Sequence, residues 1–133
     1  MSIEMGLQEA LDLRLSPVLA GLTRSIPLHD QAPQGEPMPF AEFARITYRT
    51  DAELTMSQQA ALVTIAIYSD QRGRREVVNA MSAIRANLHT QRFNVTGGEA
   101  VLALHEMSDS ALDGDGVTWV GTTIYSIFLA PAE

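Results

Sequence analysis

From Val117 to Leu129 the chain reads Val-Thr-Trp-Val-Gly-Thr-Thr-Ile-Tyr-Ser-Ile-Phe-Leu, a stretch that is apolar on both sides if it is extended. Side chains alternate across a strand, so Trp119, Tyr125 and Ile127 face one way while Val120, Ile124 and Phe128 face the other. Ala61 to Ser69 has the same property, with Val63, Ile65 and Ile67 alternating with Leu62, Thr64, Ala66 and Tyr68. A sheet built from these strands has two greasy faces, and both must be covered.

The chain has 133 residues, the size of one compact domain, and its 46% apolar content suffices for one core. One domain is therefore expected over residues 1–133. Two amphipathic stretches predict helices. Between residues 6 and 22, Leu7, Leu11, Leu15, Val18 and Leu22 fall at steps of three and four, while Leu13 lies off that stripe. Ser16-Pro17 reads as a cap and first-turn pair, so this helix is expected to break there and restart. Arg74 to His89 carries Val77, Met81, Ile84 and Leu88 on one stripe with Val78 beside it. Glu76 near its start and His89 near its end suit the helix dipole.

Further strands are expected over Phe40 to Arg49 and Glu99 to Met107, with Asp113-Gly114-Asp115-Gly116 as the turn before the last strand. Pro27, Pro33, Pro37 and Pro39 make 25–39 an extended arm, because each proline removes a donor and fixes φ. The polar stretch 50–60 reads as a flexible loop. The expected fold is α+β in the order α-β-β-α-β-β, with two helices packed on one face of a four-stranded antiparallel sheet. Two helices cannot cover both faces. The second face is thus expected to lie against a neighbouring subunit, unless the 25–39 arm folds over it.

Composition removes several functional classes. There is no cysteine, so disulfides, thiolate metal sites and cysteine nucleophiles are out. The formal charge is −7 and all nine basic residues are Arg, which argues against nucleic-acid binding, since phosphate contacts need a basic patch. No apolar run is long enough to span a membrane, and the N-terminal residues do not read as a signal peptide, so a cytoplasmic site of synthesis is expected.

The search for chemistry finds little. His29, His89 and His105 lie at no spacing that would place two ligands on one face, so no metal and no cofactor is expected. His29-Asp30 lacks a serine in a nucleophile elbow and reads as local loop bonding. In the 113–116 run, Val117 and Ile124 stand where a calcium loop needs oxygen ligands. Gly97-Gly98 has neither the lysine nor the helix of a phosphate loop. No catalytic residue is assigned.

An ordered set of short motifs covers nearly the whole chain: Leu7-Gln8 with Ala10-Leu11; Leu28 to Gly35 followed by Pro39-Phe40; Thr64 to Ser69 ahead of Gly73; and Asp113 to Gly116 with Val117-Thr118. Together they resemble the small tail-completion, or tail-terminator, proteins of long-tailed phages and gene transfer agents. Phe40 stands where that family often has tyrosine, and Val117-Thr118-Trp119 lacks a basic residue looked for there. The resemblance implies a homomeric ring, usually a hexamer, at the neck end of the virion tail after assembly in the bacterial cytoplasm. It would cap the major tail tube protein, which otherwise stacks in an open series, and would meet the head connector or stopper protein.

On that reading Pro33, Pro39, Phe40, Tyr68, Ile124 and Phe128 are candidates for a subunit or tube interface, and Asp109, Asp113 and Asp115 for an acidic lumen past which DNA slides. The alternatives are a connector-side subunit of the same joint and a small-ligand-binding or hydrolytic α+β domain. A closed polar pocket with perturbed titrating groups would mark the latter.

Overall fold

The computed structural model describes residues 3–49 and 59–132. Its elements are α1 (Ile3–Ala20), β1 (Leu28–His29), β2 (Phe40–Arg49), β3 (Gln59–Ser69), α2 (Arg75–Leu88), β4 (Phe93–Val95), β5 (Gly98–Leu112) and β6 (Trp119–Pro131). The fold is α+β, as expected, but the sheet is six-stranded and mixed, in the order β1-β2-β3-β6-β5-β4. Its four long strands pair antiparallel, with β6 inserted between β3 and β5.

The two added strands are short and lie at the edges. β1 pairs parallel with β2, Leu28 opposite Ala41, inside the arm read as irregular. Prolines are tolerated there because an edge strand needs donors on one side only. β4 pairs with the start of β5 through Phe93 and Ala100. The expected loop 50–60 lies outside the described residues except for Gln59 and Ala60, which belong to β3. β5 runs five residues beyond the expected Met107, to Leu112.

Helix α1 does not break at Pro17. The missing N–H forfeits one bond on the exposed face, and Leu11, Leu15 and Leu19 keep a four-residue stripe fully buried through that point. Leu19 thus takes the core position expected for Val18. Ser16 does not cap: its Oγ donates to Asp12 Oδ1 at 2.7 Å. Leu13 is 71% exposed. In α2 the expected stripe is buried, joined by Ala80, and Val78 beside it is exposed.

Both helices pack on one face. The core gathers Leu7, Leu11, Leu15 and Leu19 of α1, Val77, Ile84 and Leu88 of α2, and Val63, Ile65, Ile67, Tyr125, Ile127 and Leu129 of the sheet. Two glycines let elements approach closely. A Cβ on Gly6 would sit 2.1 Å from the Thr96 carbonyl oxygen, and one on Gly121 would sit 3.0 Å from Val77 Cβ beneath α2. Register shifts at Phe43/Arg45, Ala100/Leu102 and His105/Met107 mark bulges, which bend and twist strands.

Candidate interface on the bare sheet face

Opposite the helices, the alternating partners of the core residues form a second face. Register places Phe40, Glu42, Arg45, Thr47 and Arg49 of β2 on it, with Leu62, Thr64 and Tyr68 of β3. Val120, Thr122, Ile124 and Phe128 of β6 and Leu102, Leu104, Met107 and Asp109 of β5 complete it. Among the described residues no helix covers them. Leu62 is 42% and Met107 53% exposed, high values for large apolar side chains in a sheet.

The face is concave. A depression of about 630 Å³ is walled by Thr47 and Arg49, Leu62, Glu106 and Met107, and Ile124 and Ser126, so all four long strands contribute. No residue of the proline arm lines it. The arm instead follows the β2 edge, where Glu42 Oε2 accepts the Ala32 amide at 3.0 Å and Ala41 donates to the Pro27 carbonyl at 2.8 Å. The arm thus meets the second face only at its Glu42 border and leaves the depression open.

Of the interface candidates, Phe40 and Tyr68 stack with ring centroids 4.8 Å apart, and the Tyr68 hydroxyl donates to Glu42 Oε1 at 3.3 Å. Partial burial, then the Glu42 charge, raises the Tyr68 pKa. Ile124 and Phe128 share this face with them; Pro39 is half-buried at the head of β2 and Pro33 is exposed in the arm. Asp109 lies on the bare face of β5. Asp113 and Asp115 are instead spent on the β5–β6 turn. Asp113 Oδ1 takes the Gly114 amide at 2.9 Å, while Asp115 Oδ1 takes those of Val117 at 2.9 Å and Thr118 at 2.8 Å. Asp115 Oδ2 also accepts the Thr118 hydroxyl at 2.6 Å, and these bonds hold its carboxyl below the usual range.

Two polar clusters escaped the sequence reading. At the helix face, His89 Nδ1 accepts the His105 amide at 3.0 Å, His105 Nε2 lies 2.8 Å from Ser108 Oγ, and that oxygen lies 2.9 Å from Thr123 Oγ1. Burial, with Arg85 and His89 nearby, lowers the His105 pKa. No carboxylate bonds its ring to orient it as a base, so the chain of bonds supports β5 and does not make a serine nucleophile. Beside it the Tyr125 hydroxyl is fully buried without a well-formed hydrogen bond.

The second cluster joins Arg24 to Glu76 and Asp70, with Ser69 Oγ donating to Glu76 Oε1 at 2.6 Å. It borders a cavity of about 300 Å³ between Leu22 and Asn79. Arg24, Asp70 and Glu76 are paired with one another there, and Arg75 also lines the cavity. His29 Nε2 lies 3.2 Å from Glu36 Oε1, within ion-pair range when protonated but outside hydrogen-bond geometry. Among the described residues no group of three metal-ligating side chains converges, and no helix is long and apolar enough to cross a membrane.

The sequence profile of the family described as "Tail completion protein gp17" matches residues 11–130. The chain belongs to that family. The match takes in the bare face of every long strand, the arm and α2, and omits only the first turns of α1 and the last three residues. A solved structure titled "Virion of native gene transfer agent (GTA) particle" contains a chain with this fold. That chain is 17% identical, with a TM-score of 0.80, and the alignment covers 96% of this chain and 97% of the other. No curated protein matches significantly. Membership in a tail-completion family agrees with a molecule whose most distinctive surface is a sheet face.

Proposed function

We propose that this chain is a structural virion subunit, one domain per copy, that assembles as a homohexameric ring at the neck end of the tail, ends growth of the tail tube, and docks to the head connector. The observation that carries the reading is the bare, concave sheet face, on which the described residues leave Leu62 and Met107 exposed. The tail-completion family and the likeness to a chain of a gene transfer agent virion support it.

A stacking tube protein forms an open heterologous series, and only a subunit with a different upper surface ends it. The bare face around Phe40, Tyr68, Ile124 and Phe128, with Pro39 at its border and Pro33 in the adjoining arm, turns to the inside of the ring, where neighbouring subunits and the abutting tube chain cover it. Asp109 on the same face and the Asp113–Asp115 turn present acid toward the lumen. The net charge of −7 suits a conduit that does not hold DNA phosphates. The role is mechanical rather than catalytic: the Ser–His contact found among the described residues lacks an orienting carboxylate.

Tails lacking their completion protein test this directly. Added pure protein is expected to decorate one tail end in negative stain and to halt further tube elongation. Continued elongation with no end density overturns the proposal, and binding only to the head connector reassigns the chain to the other side of the joint.

A further inference from the structure

The sheet has two open edges. On β2, pairing with β1 ends at Glu42, and among the described residues nothing hydrogen-bonds the outer edge of Phe43 to Arg49. On β5, β4 covers the outer edge only as far as Ala100. Residues 89–91 then serve Ala103 and His105 through Thr90 N, Gln91 O and His89 Nδ1. From Glu106 to Leu112 no partner follows on that side among the described residues. Exposed edges of this length template pairing with another strand, and folds blunt them or use them.

These two edges carry opposite charge. Arg45 and Arg49 stand on the β2 edge, Glu106 and Asp109 on the β5 edge. None of the four forms an ion pair among the described residues. Like edges repel: two β2 edges would align arginines, and two β5 edges carboxylates. Unlike edges match in direction too, because β2 and β6 run opposite to β3 and β5, so a neighbour's β2 set beside β5 is antiparallel.

We infer that copies of this chain join head to tail, the 43–49 edge of one subunit pairing antiparallel with the 106–112 edge of the next, so that the sheets fuse into one closed barrel with the bare face inside. This rests on the ring reading above and specifies its joint. The register that keeps side chains on matching faces sets Arg45 opposite Asp109 and Thr47 opposite Met107, with Arg49 beside Glu106. The open stretch of β2 covers its C-terminal half, and that of β5 lies toward the other end of the sheet, so neighbours are staggered along the strands. Closing a sheet into a barrel requires such a stagger. The depression on the bare face shows that the sheet already curves toward that side.

Because the sequence has no native cysteine, crosslinking tests the joint cleanly in the full chain. Thr47→Cys and Met107→Cys are placed singly and together, and sedimentation velocity is run on each at high concentration. The double variant is expected to give an oxidised ladder up to a closed ring, while the single variants crosslink only when mixed with each other. Dimers from either single variant alone overturn head-to-tail pairing. A ring in sedimentation without 47–107 crosslinks overturns this joint and leaves the ring reading intact, whereas a monomer at every concentration, even with tube protein added, removes both. As a second arm, Arg45→Asp is expected to weaken ring assembly by roughly tenfold or more, and Asp109→Arg in the same chain to restore it. Failure of the double reversal to rescue a protein with native circular dichroism also counts against the pairing.

Discussion

Arg24 Nε lies 2.8 Å from Glu76 Oε2, and this contact ties the segment leaving α1 to the first turn of α2, across 52 positions of sequence. Glu76 is only 8% exposed, and its carboxylate also receives the Ser69 hydroxyl. The bond from Arg24 is the main cause holding the Glu76 pKa below that of a free glutamate, ahead of the opposing effect of burial. The helix pair is therefore fastened by a charged group that can be titrated.

Because the folded-state pKa of Glu76 is depressed, its contribution is complete above the unfolded value, near ~4.3, and is lost as pH falls through the lower folded value. Melting temperature is expected to drop on acidification below that range. Glu76→Gln is expected to cost roughly 1.5–3 kcal/mol at neutral pH and to flatten the acid limb. Calorimetry of both proteins across pH checks this, and an unchanged acid limb in the variant would refute it.

Gly6 faces the Thr96 carbonyl oxygen, where an added Cβ would stand 2.1 Å away, and backbone cannot move aside as a side-chain tip does. Gly6→Ala is expected to destabilise by about 1–3 kcal/mol in urea unfolding. Gly114→Ala, with nothing within 4 Å of the added atom, serves as the neutral control.

Charge placed on the two faces of the sheet separates assembly from folding. Ile84→Asp or Val77→Asp buries an unpaired carboxylate at fully buried sites and is expected to unfold the domain, with loss of the circular dichroism signal. Ile124→Asp or Phe128→Asp on the bare face is expected to keep the native spectrum while losing ring formation or tail binding. Equal unfolding by both sets would show the bare face to be core in disguise.

Tyr125 is fully buried and its hydroxyl has no well-formed hydrogen bond. Removing a buried polar group without a partner relieves its desolvation cost, so Tyr125→Phe is expected to be neutral or to raise stability by up to about 1–2 kcal/mol. A marked fall in melting temperature would mean that the hydroxyl is bonded in solution.

By itself the sequence determined what depends on neighbours along the chain. The four-residue leucine spacing from Leu7 to Leu15, the alternation through Val63, Ile65 and Ile67, and the Asp113–Gly116 turn each appear where periodicity and turn chemistry place them. So does the surplus apolar face of Ile124 and Phe128, because alternation alone reveals it. Pro17 misled because a local rule weighs one lost hydrogen bond, whereas the buried stripe through Leu19 acts over the whole helix.

Only the tertiary structure decided which strands meet. Nothing near Leu28 or Phe93 in sequence announces a two- or three-residue edge strand, since such strands exist by virtue of the neighbour they pair with. The insertion of β6 between β3 and β5, the bond from Arg24 to Glu76 and the meeting of His89 with His105 are likewise contacts between distant positions. The two open edges with opposite charge belong to the same class, because an edge is defined by the absence of a partner in space.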